Sequence, residues 1–376
     1  MWSLVAGSRV GPASAVWLTL IPGVLLVLPA TGLQASFLLA GFPVAIAVLL
    51  LVRRPAGSRT VAALLFAGVA VRMATIPGGT SDVLAVTAAA DARLLSGLDP
   101  WGVGYAASWP PGAPFPYGPV ALLWYLPFGP DLRQVEMIAS LLVLGLLAAR
   151  GRPLGLAVYA LAPVLIIAAS DGSNDTSAGL LLLAALLAAK RSPVAGAVGL
   201  AVAAAFKPYA LAWVPALGIW GGAGALAAGA AASALLWGPA LLVSGVGPVL
   251  DSLRMATAVH AEPSLTVARV VEQLLHARVS RLAFDALALA AGALAALGTL
   301  PLARTWGGFL GAGVAVFGIT LYCGYWASVT YLAAIAPILC WELDELAGLA
   351  WRRVRWPGDP IGRLESALEQ RRPLAA

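Results

Sequence analysis

The chain alternates between long apolar runs and short polar connectors. Stretches dominated by Ala, Leu, Val and Gly occupy 15–32, 34–52, 60–76, 134–149, 154–169, 175–189, 194–206, 209–221, 223–246, 282–300, 307–322 and 326–342. Crossing the hydrocarbon core takes about 20 apolar residues in a helix. In lipid the backbone must satisfy its own polar groups, so runs of this kind predict helices rather than open sheet. The expected fold is all-α, a polytopic transmembrane helical bundle of about 12 spans. The segment 118–129 is apolar but short, and reads as re-entrant or half-buried. No fixed-period repeat, soluble domain or long linker interrupts the pattern. It divides into an N-terminal transmembrane hairpin (1–59), a transmembrane body (60–342) and a basic tail (343–376).

Composition narrows the class. Of 376 residues, 61% are hydrophobic and 11% charged, whereas a soluble domain carries about 25% charged residues. Disorder is excluded by the same figures. Cys323 and Cys340 fall near opposite ends of consecutive spans, too far apart for a disulfide. With only these cysteines and His260 and His276, the sequence holds no obvious metal cluster.

Positive charge sets an expected topology. Arg53, Arg54 and Arg59, then Arg150 and Arg152, then Lys190 and Arg191, and then Arg304 mark cytoplasmic connectors. Arg352, Arg353 and Arg355 put the tail on the same side. These assignments agree only if 118–129 does not cross. Both termini are then inside, and the polar segments 77–133 and 248–281 face outward. The net charge of +6 accordingly reads as anchoring to the inner leaflet, not as nucleic-acid binding. Arg9, an apolar run and Leu33-Gln34-Ala35 look like a signal peptide, but a second apolar run follows at once, so an uncleaved anchor is expected.

The outer segments carry the candidate chemistry. Residues 82–96 read as an amphipathic interfacial helix, capped by Ser81 or Thr80 and closed by Gly97. At about 100° per residue, Asp82 and Asp91 face opposite ways, so only one can serve a shared site. Asp82 stands at the helix start, within reach of a membrane-embedded head group, and Asp91 reads as solvated. Trp101, Tyr105, Trp109, Tyr117 and Trp124 are expected to form an aromatic belt at the outer interface.

Asp82, a helix, Gly97-Leu98-Asp99-Pro100-Trp101 and Pro116-Tyr117-Gly118-Pro119 together resemble the first outer loop of GT-C glycosyltransferases. The pattern is most similar to actinobacterial α-mannosyltransferases that use polyprenyl-phosphate mannose. The resemblance extends to Ser170-Asp171-Gly172-Ser173-Asn174-Asp175, Phe206-Lys207-Pro208-Tyr209 and Glu262-Pro263-Ser264-Leu265. It covers roughly residues 60–342. One departure is Leu84, Ala85 and Val86, where these enzymes often carry aromatic residues.

The resemblance implies a multi-pass enzyme of the cell membrane, with its active site on the outer face. It would move a sugar, mannose in the enzymes the pattern resembles, from a polyprenyl-phosphate donor to a glycolipid or cell-envelope glycan with inversion. A lipid-linked donor needs no nucleotide site, and no cofactor or metal is expected. Asp82 is the candidate general base; alternatively it is a helix-start carboxylate stabilised by the dipole. Lys207, one of two lysines, is a candidate cation for the departing phosphate, or a snorkelling side chain. His260 and Arg254 are further phosphate candidates. Asn174 and Asp175 either cap their helix or bind sugar hydroxyls. Asp99, Tyr117 and Tyr331 complete the substrate-binding candidates, Asp99 also being a natural turn former. Arg269, which follows Ser264, could also join the phosphate site, and Arg72 and Tyr331 are weaker candidates. The competing classes are a lipid or sugar transporter and a GT-C scaffold that has lost its chemistry.

Overall fold

A computed structural model describes residues 58–75, 81–129, 131–255, 264, 266–325 and 327–346. Residues 1–57 of the N-terminal hairpin, with its two apolar runs, the arginines of the tail, Thr80 and His260 lie outside the described residues. The helices are α1 (Ser58–Thr75), α2 (Val83–Leu95), α3 (Pro119–Tyr125), α4 (Arg133–Arg150), α5 (Pro153–Leu161), α6 (Pro163–Ile167) and α7 (Asp175–Arg191). They continue with α8 (Pro193–Phe206), α9 (Val214–Ser244), α10 (Val246–Met255), α11 (Val267–Leu275), α12 (Arg281–Thr299), α13 (Trp306–Cys323) and α14 (Leu332–Leu346). Among the described residues the only β pairing is an isolated bridge between Gly104 and Pro114.

Local chemistry explains most boundaries. Proline opens α3, α5, α6 and α8, where its missing N–H costs nothing. Ser192, Thr266, Ser280 and Thr305 cap α8, α11, α12 and α13 by accepting from backbone N–H groups in the first turn. Helix α2 begins at Val83, and Gly97 in a left-handed conformation follows its end. The segment 118–129 forms α3 and a short 3₁₀ turn at Leu126–Phe128, and meets α4 at 99°.

Three helical stretches among the described residues are long and apolar enough to cross a membrane: Pro208–Ser244, Arg281–Arg304 and Trp306–Cys323. Leu235, Leu242, Leu282 and Leu289 on these stretches are largely exposed, as on a lipid-facing wall. Pro208–Ser244 has 37 residues, more than one crossing requires. It breaks at Gly222, whose φ of +68° only glycine adopts readily. The leg before the break brings Trp220 Nε1 to the Ala189 carbonyl at 3.1 Å. The leg after it runs back along α8, with Gly229 beside Ala197, and Gly118 wedged against both Ala205 and Trp237. The sequence separation of 209–221 from 223–246 therefore marks a chain reversal.

Small residues let the central helices touch backbone to backbone. A Cβ on Gly155 would sit 1.8 Å from the Cys340 carbonyl oxygen, and one on Gly179 2.5 Å from that of Ala333, so α5 and α7 both lie directly on α14. Cys323 and Cys340 are free thiols.

The bundle has two chemically distinct poles. At one, Arg150 and Arg152 reach Glu345 at 3.0 and 2.6 Å, and Lys190 reaches Glu342 at 3.6 Å. Trp341 lies under Arg150, and Trp306 under Lys190. Three of the residues expected to mark cytoplasmic connectors thus converge on one end. At the opposite pole lie the starts of α2, α3, α7 and α14 and the end of α8.

Candidate active site

The site is built where helices begin and end. Asn174 and Asp175 open α7, Lys207 closes α8 just before Pro208, and Tyr331 precedes α14. Proline at 208 cannot continue the backbone ladder, so the chain turns there and Lys207 is left extended, with φ −150° and ψ 135°. Its Nζ donates to Asp175 Oδ1 at 2.5 Å and to Asn174 Oδ1 at 2.9 Å. Three tyrosine rings surround the ammonium, Tyr209 and Tyr331 at 4.9 Å and Tyr117 at 5.6 Å. The Tyr209 hydroxyl donates to the same Asp175 oxygen at 3.1 Å. Lys207, Asn174 and Asp175 are all buried. A cation is tolerated there because a carboxylate, an amide oxygen and aromatic faces replace its water.

Asp82 stands next to this cluster. The Ser81 N–H donates to the Asp171 carbonyl at 2.7 Å, and that of Leu84 to the Gly172 carbonyl at 3.0 Å. The start of α2 is thereby bolted to the turn that leads into α7. That turn needs glycine: Gly172 has φ +89°, and a Cβ on it would lie 2.9 Å from the Ser81 carbonyl oxygen. Asp171 folds the turn by accepting from Ser173 N–H at 2.8 Å, while burial raises its carboxyl pKa. Asp82 is half-buried and makes no capping bond to its own helix. Its Oδ2 instead accepts from the Trp109 N–H. Burial first, then Tyr331, Asp175 and Asp82, push the Tyr117 phenol well above its ordinary range, so the Asp82 charge is felt inside the cluster. A cleft of about 390 Å³ flanks this corner, lined by Ser81, Leu84, Leu132, Arg133 and Gly172 among others.

Five of the residues singled out from the sequence therefore meet: Tyr117, Asn174, Asp175, Lys207 and Tyr331, with Asp82 adjacent. Neither Asn174 nor Asp175 caps α7 through its side chain. Asp99 and Arg254 are placed differently. Asp99 Oδ1 accepts from Trp101 N–H at 2.9 Å and from the Ser244 hydroxyl at 2.6 Å, tying the outer segment to the end of α9. Arg254 is exposed on α10, 3.7 Å from Asp251. Arg72 is buried between α1, α4 and α5 in a purely structural setting, described below. Arg269, on α11, lies 3.7 Å from Glu272.

Two expectations are corrected. Asp91 does face away from Asp82, but its face is the packed one: it lies in the buried stripe of α2 with Leu84, Thr87 and Ala90. The aromatic belt is largely internal. Trp101, Tyr105 and Tyr117 are buried because the outer segment folds on itself, with Trp101 and Tyr117 both edge-on to Phe115. Trp109 stays exposed.

Several participants were not singled out from the sequence. Tyr209 belongs to a quoted motif, and its place one residue beyond Pro208 is the signal that could have found it. Glu136 is a buried carboxylate that accepts from the Tyr125 hydroxyl at 2.5 Å, from Ser177 N–H at 3.0 Å and from the Ser177 hydroxyl. It thereby holds the first turn of α7, the turn that carries Asp175. A lone carboxylate within the apolar run 134–149 was its signal. Ser264 is buried and accepts from Ala327 N–H at 3.2 Å, joining the second outer segment to the approach to Tyr331.

Among the described residues, no group of three or more His, Cys, Asp or Glu is placed to hold a metal ion. No protein-family model matches the chain, and no curated protein or solved structure matches it significantly.

Proposed function

We propose that the chain is a multi-pass membrane glycosyltransferase working at the pole that carries Asp82, and that it uses a polyprenyl-phosphate sugar as donor. The observation that carries this reading is the convergence at one pole of polar side chains from segments as distant as Asp82, Asn174, Lys207 and Tyr331. The basic pole lies opposite, which by the positive-inside rule turns the site outward. In this reading Asp82 takes the proton of an acceptor hydroxyl. The acceptor oxygen bonds to the anomeric carbon from the face opposite the phosphate, the carbon–phosphate-oxygen bond breaks, and polyprenyl phosphate leaves with its electron pair. The product carries inverted configuration. Mannose is the proposed sugar, and a glycolipid or envelope glycan the proposed acceptor.

A transporter is the second reading, favoured by the buried Lys207–Asp175 pair lying between helix breaks at Gly172 and Pro208, an arrangement broken-helix transporters also use. Membranes containing the chain, given labelled polyprenyl-phosphate mannose, distinguish the two. Transfer of label to a glycan or glycolipid in detergent-permeabilised membranes supports the enzyme. Label that crosses sealed vesicles without changing its chemical linkage supports the transporter.

A further inference from the structure

Lys207 was a candidate partner for the donor phosphate, but its surroundings fit a different task. The ammonium is already opposed by the Asp175 carboxylate at 2.5 Å, so the pair carries no net charge to offer a phosphate. Its second contact is more informative. Because an ammonium only donates, the 2.9 Å contact fixes the oxygen of the Asn174 carboxamide on Lys207. The Nδ2 end then has a settled orientation, and among the described residues it has no hydrogen-bond partner although Asn174 is fully buried. A buried donor left unpaired is costly, so native structures rarely keep one without use. It sits two residues beyond Gly172, whose carbonyl anchors the start of the Asp82 helix.

We infer that Lys207 is a positioning residue, which holds the Asn174 carboxamide so that Nδ2 donates to a hydroxyl oxygen of the transferred sugar. The inference rests on the glycosyltransferase reading and assigns this cluster to the sugar rather than the phosphate. A neutral amide N–H suits a neutral hydroxyl oxygen. The cluster is closed over in this structure, so binding a sugar there requires a neighbouring element to move aside. A site that hydrogen-bonds a particular hydroxyl discriminates against the analogue lacking it.

The test uses the full chain in detergent micelles with three probes: polyprenyl-phosphate mannose, the same donor lacking one sugar hydroxyl at a time, and sugar-free polyprenyl phosphate as competitive inhibitor. Asn174→Ala and Lys207→Met should each raise KM for the mannose donor roughly 10- to 100-fold, the range of one lost buried hydrogen bond. Neither should change the inhibition constant of polyprenyl phosphate, which also shows that the variants are folded. The double variant should be no worse than either single one, since Lys207 acts through Asn174. Wild type should disfavour one deoxy donor, and Asn174→Ala should lose that preference. A weakened inhibition constant in Lys207→Met would place Lys207 on the phosphate and overturn the inference. An unchanged KM in Asn174→Ala would mean that Nδ2 serves only a buried water, and would overturn it equally. If Lys207→Met does not fold, Asn174→Ala alone decides. Wild type that transfers no sugar at all would instead defeat the underlying glycosyltransferase reading.

Discussion

Replacing Asp91 by leucine should stabilise the protein, and more so in alkaline than in acidic solution. Both carboxylate oxygens of Asp91 are buried without a hydrogen-bond partner among the described residues, and desolvation raises its pKa from an ordinary 3.8 to about 7. In the unfolded chain the proton leaves near the ordinary value, so between the two the folded state binds more protons. Stability is therefore fully present below about pH 4, declines as pH rises, and has lost the whole contribution once pH passes about 7. At 1.36 kcal/mol per pKa unit the loss is at most about 4 kcal/mol. Water reaching the carboxylate would lower it to about 2 kcal/mol. Leucine has nearly the same shape and needs no partner, so it removes the penalty without opening a cavity. Unfolding in mixed micelles followed by circular dichroism at pH 5 and pH 8 measures it. The difference between Asp91→Leu and wild type should be larger at pH 8 than at pH 5, by at most about 2–3 kcal/mol and by less where water reaches the carboxylate. An equal difference at both pH values, or a variant less stable than wild type at pH 8, would refute the reasoning.

Other substitutions probe the frame. Arg72 donates to the Tyr159, Ala160 and Gly68 carbonyls and to the Ser140 hydroxyl from a fully buried position. Pro163 denies the Tyr159 carbonyl its helical N–H, so Arg72→Met should cost about 2–4 kcal/mol by the same unfolding assay, and lysine, lacking the planar fork, should not rescue it. Gly222→Ala should cost about 1–3 kcal/mol because φ is +68° there, while Gly224→Ala, with open space around its Cβ position, should be neutral or slightly stabilising. Asp344 accepts from Leu154 and Gly155 N–H at 3.3 and 3.0 Å. Asp344→Ala should therefore uncap α5 and lower stability by about 0.5–2 kcal/mol.

Much of the layout can be read from the chain, and the failures share a cause. Apolar runs separated by Gly and Pro give helix positions, and the break between 209–221 and 223–246 falls on the glycine where the backbone reverses. Helical periodicity correctly turns Asp91 away from Asp82. It cannot say which side a neighbouring element covers, and here α3 and the folded outer segment pack against the side that carries Asp91. The same limit applies to Trp101, Tyr105 and Tyr117: an amphipathic ring at a boundary suits lipid head groups and a small internal core equally well. Asp99 before Pro100 has the chemistry of a turn and the structure uses it as one. Lys207 and Asp175 stand out as charges beside apolar runs, but only the folded helices show that they neutralise each other. The Asn174 amide is legible only once the oxygen side is known to be taken.

The proposed role of Asp82 as the base that takes the acceptor proton stands or falls on Asp82→Asn. Asparagine keeps the shape and can still accept from the Trp109 N–H, so folding and binding of polyprenyl-phosphate mannose should survive. Transfer should fall roughly 10²- to 10⁴-fold, the span of general-base contributions. Asp91→Asn, on the packed face of the same helix, should change transfer little when the two variants are compared at equal membrane abundance. Transfer by Asp82→Asn at the wild-type rate would contradict the claim.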